Sequence, residues 1–120
     1  MIMGRTDFNP EWYGAQAKVL TSNEDQMVVD YGCNGRGIVK SYKLFDGIQL
    51  CFLDFETDES MKAQKFNPDI IQVTHCQTGR YECEFTNHTV AYLPKGYFSI
   101  AATAYLPASF SFPLGKYYGV

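Results

Sequence analysis

Residues 70–96 constrain the fold of this chain more than any other stretch. Polar and apolar side chains alternate along them, and two clusters of turn-forming residues interrupt the alternation. A period of two marks a strand with one buried face. Pattern and breaks together predict three consecutive antiparallel strands, closing in a corner at Pro94-Lys95-Gly96. The first break sets the register. With Gln77-Thr78-Gly79 as a three-residue loop and Gly79 at positive φ, His75 faces Tyr81, Val73 faces Cys83 and Ile71 faces Phe85. Thr74 then pairs with Glu82, and Gln72 with Glu84, on the opposite face. A two-residue loop at Thr78-Gly79 would mix polar with apolar on both faces. One residue of slip turns every side chain over, so the unmixed register is expected. A two-residue loop at Asn87-His88, residue types enriched at positive φ, sets Phe85 against Val90 and Cys83 against Tyr92. The expected inner face carries Ile71, Val73, His75, Tyr81, Cys83, Phe85, Val90 and Tyr92. The expected outer face carries Gln72, Thr74, Glu82, Glu84 and Ala91. An apolar wall with a few polar atoms is the usual lining of a small-molecule site.

The remaining chain reads as more short strands. Met27–Tyr31 is a candidate strand, and Gly32–Gly37 a glycine-bearing turn whose spacing fits neither phosphate-loop pattern. Residues 38–45 and 48–56 form a hairpin around Asp46-Gly47, a strong two-residue turn signal. In its second strand Ile48, Leu50 and Phe52 alternate with Cys51, Leu53 and Phe55, so both faces are apolar and the strand should lie between two layers. Asp54 shares the parity of Phe52, and either an inward or an outward carboxylate fits. Residues 57–68 read as a loop. Phe98, Ile100 and Ala102 mark another strand, and Ser109–Leu114 a last one ending at Pro113. Upstream, Asn9-Pro10-Glu11 resembles a helix start. It predicts a short helix over 10–20, with a lid-like arm as the alternative, then a polar linker over 21–26. The expected division is an arm or short helix over 1–26 and a β-domain over 27–120. At least seven short strands with frequent turns indicate an all-β sandwich or barrel, and a jelly roll accommodates the doubly apolar strand.

At 120 residues the chain suits one domain with a real core. Its net charge of −3 comes with no basic cluster, which argues against direct nucleic-acid binding by this segment. The N-terminal stretch has no run suited to a signal peptide, and no stretch approaches a membrane span, so a cytoplasmic protein with no membrane association is expected. Cys33, Cys51, Cys76 and Cys83 form no CxxC pair. They read as reduced and mostly buried thiols, Cys76 pointing out and Cys83 in.

The string HCQTGRYECEF (75–85), followed by TVAYLPKG (89–96), resembles the N-terminal cupin-like domain of AraC-type bacterial transcriptional regulators. SYKLFDGIQLCFLDFET (41–57) resembles an early strand pair of such domains, and SFPLGKYYGV (111–120) a late strand. The resemblance covers about residues 38–120. It implies a double-stranded β-helix, or jelly-roll barrel, that binds a small-molecule effector, forms a homodimer and controls helix-turn-helix units that follow it. No such units occur in this sequence, so it reads as the sensing half of a regulator, reaching DNA only through the missing part. Metal-binding cupins place two His and a Glu before the Gly matched here by Gly79, and a last His after Pro-x-Gly. In this chain those positions fall near 65–68 (Lys-Phe-Asn-Pro), at Gln72 and at Ser99, so no metal and no cofactor is expected.

The candidate ligand-binding residues are therefore His75, Tyr81, Tyr92, Cys83, Asp54, Phe52 and, on the arm, Trp12. The segment about Phe8–Tyr13 is the candidate lid. Each has a structural alternative: a satisfied core His, packing tyrosines, a solvated strand end at Asp54. Tyr97, Phe98, Tyr105, Leu106, Phe110 and Phe112 are too many large apolar side chains for one small barrel to hide, which points to an interface. The rival reading is a small metal-independent cupin enzyme, an isomerase or epimerase, with His75 and Tyr81 as its acid–base pair.

Overall fold

Strand β7, Ile71–Glu84, is fourteen residues long and organises the rest of the molecule. The computed structural model describes residues 2–3, 16–62, 71–85, 87–102 and 109–120. These form an all-β structure, one antiparallel sheet of eleven strands with no helix among the described residues. In chain order the other strands are β1 (Ile2–Met3), β2 (Lys18–Ser22), β3 (Gln26–Asp30), β4 (Arg36–Phe45), β5 (Ile48–Glu56), β6 (Met61–Lys62), β8 (Val90–Pro94), β9 (Phe98–Ala102), β10 (Ser109–Ser111) and β11 (Lys116–Gly119). The radius of gyration, 13.4 Å, suits a folded domain of this length.

One edge of β7 pairs in turn with β1, β11 and β10. Its other edge pairs with β9 along residues 71–75 and with β8 along residues 80–84. The β8–β9 junction stays attached, since Gly96 N–H donates to the Cys76 carbonyl and Cys76 N–H to that of Tyr97. The expected hairpin at 77–79 is therefore absent, and residues 71–84 run through as one strand. The reason lies at Gly79. Its φ of +85° is the positive value the sequence required, but it lies just past a bulge at Gln77 rather than in a turn. A Cβ there would meet the Lys116 carbonyl, so a close approach of β11 uses the same glycine. The register against β11 shifts between Tyr118, opposite Thr78, and Gly119, opposite Cys76. Residue parity therefore changes face along β7.

The change of face reverses half of the expected pattern. Tyr81 and Cys83 point inward, opposite Leu93 and Ala91. Before the bulge, Ile71, Val73 and His75 point outward, opposite Ile100 and Phe98, while Gln72, Thr74 and Cys76 point inward. Cys76 is fully buried, not outward as its expected register implied. At the second turn Phe85 and Thr89 close the loop, and His88 takes φ +65°. The loop is thus one residue longer than two, which pairs Glu84 with Val90, Cys83 with Ala91 and Glu82 with Tyr92. Val90 and Tyr92 are exposed as a result.

The hairpin around Asp46-Gly47 forms as expected, with Gly47 at φ +82° and β3 alongside. Residues 18–20 lie in β2 rather than a helix, and the expected linker begins as strand. Val19 and Thr21 suit a strand edge, and Asn23 caps the turn by accepting from the Asp25 and Gln26 amides. The Trp12 and Phe8–Tyr13 expectations lie outside the described residues, as do Tyr105 and Leu106. The last expected strand is β10, and β11 follows it as a further one.

Cys51, Phe55, Cys76, Leu93, Phe112 and Tyr117 lead the core cluster, with Tyr31, Leu53, Tyr81 and Phe110 packed against it. All four cysteines are free thiols, three buried and Cys33 half-buried.

Candidate functional site

The inner face of the sheet has two chemically different ends. One is aromatic. Phe55 and Phe112 have ring centroids 4.8 Å apart, Phe112 stacks on Tyr117 at 4.9 Å, and Tyr81 touches Phe110, Phe112 and Tyr117. Tyr31 meets Phe55 edge-on at 5.4 Å. This end is packed solid. Burial pushes the Tyr31 hydroxyl up to about 12 and raises those of Tyr81 and Tyr117 further, so all three stay protonated across the physiological range.

The other end is polar and uncharged. Its residues follow from register. Ser41 lies opposite Cys51, with Oγ and Sγ 3.4 Å apart. Gln49, two residues away along the same face of β5, is aligned with Gln72 of β7 across β1, because Ile2 pairs with both. Gln72 Nε2 donates to Thr74 Oγ1 at 3.4 Å, and Thr74 lies opposite Ser99 of β9. Ser41 and Gln49 are buried, Gln72 and Thr74 half-buried, and Ser99 exposed. The strip thus opens from the interior of β4 and β5 toward the β9 edge. It offers amide and hydroxyl groups, which donate and accept, and a thiol that burial keeps protonated. Such a surface suits a small neutral molecule carrying its own hydroxyls or amides. It gives no counter-charge to a polyanion.

The residues expected at the site are spread over the molecule. Tyr81 and Cys83 lie inward at the aromatic end, where burial also raises the Cys83 thiol. His75 lies on the outer face, its ring stacked on the exposed Phe98 at 4.4 Å. Tyr92 is outward on β8, with the Arg80 guanidinium 4.3 Å over its ring. The three rings therefore share no enclosed space, and His75 and Tyr81 sit on opposite faces. Phe52 is outward, edge-on to Tyr42 at 5.9 Å. Asp54 is also outward, 3.1 Å from Arg36, which reaches Glu56 at 3.3 Å. These pairs are solvent-exposed and contribute at most about 1 kcal/mol. With Thr78, Lys116 and Tyr118 they line an open depression of about 190 Å³ on the outer face.

Ser41, Gln49, Gln72 and Thr74 were missed because alternation alone assigns polar residues to the solvent side. One signal was available: Gln49 shares the parity of Cys51, Leu53 and Phe55 in a strand otherwise apolar on that face. Among the described residues no three His, Cys, Asp or Glu side chains cluster so as to hold a metal ion, and no helix is long and apolar enough to cross a membrane. Comparison with protein-family models, curated proteins and solved structures finds no match to this chain.

Proposed function

We propose that this chain is the ligand-sensing and dimerisation domain of an AraC-type transcriptional regulator, its sheet the wall of a cupin-like barrel. The observation that carries the sensing role is the neutral polar strip of Ser41, Gln49, Gln72 and Thr74 at one end of an otherwise aromatic interior. These four hydrogen-bonding side chains share one inward face, Ser41 and Gln49 buried and Gln72 and Thr74 half-buried, with donors and acceptors that a polar ligand can engage. The long bulged β7 and the Pro94-Lys95-Gly96 corner between β8 and β9 support the barrel reading, as do the motifs carrying the resemblance. The effector is a small uncharged polar molecule. Its binding favours one conformation of the domain and so biases the placement of an attached DNA-binding part. The domain itself contacts no DNA and works in the cytoplasm.

This reading expects the coding sequence to continue past Val120 into two helix-turn-helix units. Sequencing the gene checks it directly, and a stop codon following Val120 would contradict the regulator.

A further inference from the structure

The outer face of the β5–β7–β9 region carries apolar rows. Phe45 and Ile48 align with Ile71 across β1, Val73 lies opposite Ile100 and His75 opposite Phe98, and Leu50 and Phe52 continue the same face of β5 on the far side of β1. Phe45 is 70% exposed, Ile71 46%, Phe98 68% and Ile100 76%. With Tyr118 beside them, their open surface is on the order of 600 Å², the upper limit of what a monomeric protein usually leaves bare. The half-buried Ile48, Leu50, Phe52 and Val73 bring the patch toward the about 800 Å² that each partner contributes to a standard interface. Among the described residues β9 pairs with β7 alone.

We infer that this face packs against the same face of a second copy of the chain, sheet on sheet about a two-fold axis. Two observations select a second copy as the occupant. First, the area approaches one half of a standard dimer interface. Second, the charges at the border are self-complementary. The apolar rows pass directly into Arg36 and Lys116 alternating with Asp54 and Glu56, two cations and two anions on three neighbouring strands. A two-fold axis between the cations and anions of such a mixed border sets each against its opposite on the other copy, whereas a strongly charged partner gains nothing from it. The doubly apolar β5 then lies between two layers, as its sequence demands: the inner one from its own chain, the outer one from the partner.

The inference rests on the dimerisation half of the proposed function and is independent of the effector. Sedimentation velocity on the full 120-residue chain at tens of micromolar tests it. The expected result is a dimer for the parent, monomers for Ile100→Glu and Phe98→Glu with unchanged circular dichroism, and a dimer for Val90→Glu, an exposed apolar site on β8 outside the patch. Hydrogen exchange in β9 should slow as concentration rises. A monomeric parent overturns both the face and the dimerisation role. A dimer that survives either glutamate substitution overturns the face alone. Neither result bears on ligand sensing, whose test reads the inner strip.

Discussion

The two ends of the inner face are built on the same strands yet do opposite work. On β5, Phe55 marks the aromatic end and Gln49 the polar end, six residues or about 20 Å apart. At the aromatic end, Tyr31, Phe55, Tyr81, Phe112 and Tyr117 interlock across three strands, the end of β3 and the Phe112–Gly115 turn. At the polar end, Ser41, Gln49, Gln72 and Thr74 continue the same face with hydroxyls and amides in place of rings. The contrast teaches where stability is concentrated and where it has been given up. A fold that needed only to persist would carry the aromatic packing along the whole face.

The largest expected effect is alkaline. A tyrosine whose folded pKa is raised binds its proton more tightly folded than unfolded. Its stabilising contribution is therefore complete below the unfolded value near 10 and is lost as pH climbs toward the folded one, about 12 for Tyr31 and higher for Tyr81 and Tyr117. Between pH 10 and 12, each such group removes about 1.4 kcal/mol per pH unit, or about 4 kcal/mol per unit for the three. Urea midpoints measured from pH 8 to 12 should hold flat and then collapse. Tyrosinate absorbance from these three should appear with unfolding rather than before it. A smooth titration of all nine tyrosines in the folded protein would contradict the packed end.

Next comes Phe55→Ala, which empties a ring held on two sides and should cost about 3–5 kcal/mol in denaturant unfolding. The same experiment on the polar end gives the smallest effect. Gln72→Leu with Thr74→Val keeps volume and removes a long, weak hydrogen bond, so stability should move by less than about 1 kcal/mol in either direction. If the two substitutions cost as much as Phe55→Ala, the ends do not differ in the way described.

Much of the fold was legible in sequence. Asp46-Gly47 announced its hairpin, the doubly apolar β5 announced a central strand, and alternation marked β9. What alternation could not decide was whether the positive φ of Gly79 closes a turn or follows a bulge at Gln77. Both need positive φ, and the choice depends on β11, a strand whose residues lie more than thirty positions away. That single ambiguity exchanged the faces of residues 71–75. It moved His75 to the outside and hid Gln72 and Thr74, so the site was sought at the aromatic end. The one-residue error at Asn87-His88 has the same character: His88 does adopt positive φ, but loop length was set by pairing along the whole of β8.

The most direct test of the sensing role compares the parent protein with the Gln72→Leu/Thr74→Val variant by thermal shift, over a panel of neutral polyols, neutral amides and phosphorylated metabolites. At least one uncharged polar compound should raise the parent's melting temperature by several degrees and leave the variant's unchanged. Hits confined to the phosphorylated compounds, or hits that shift parent and variant alike, would contradict that role.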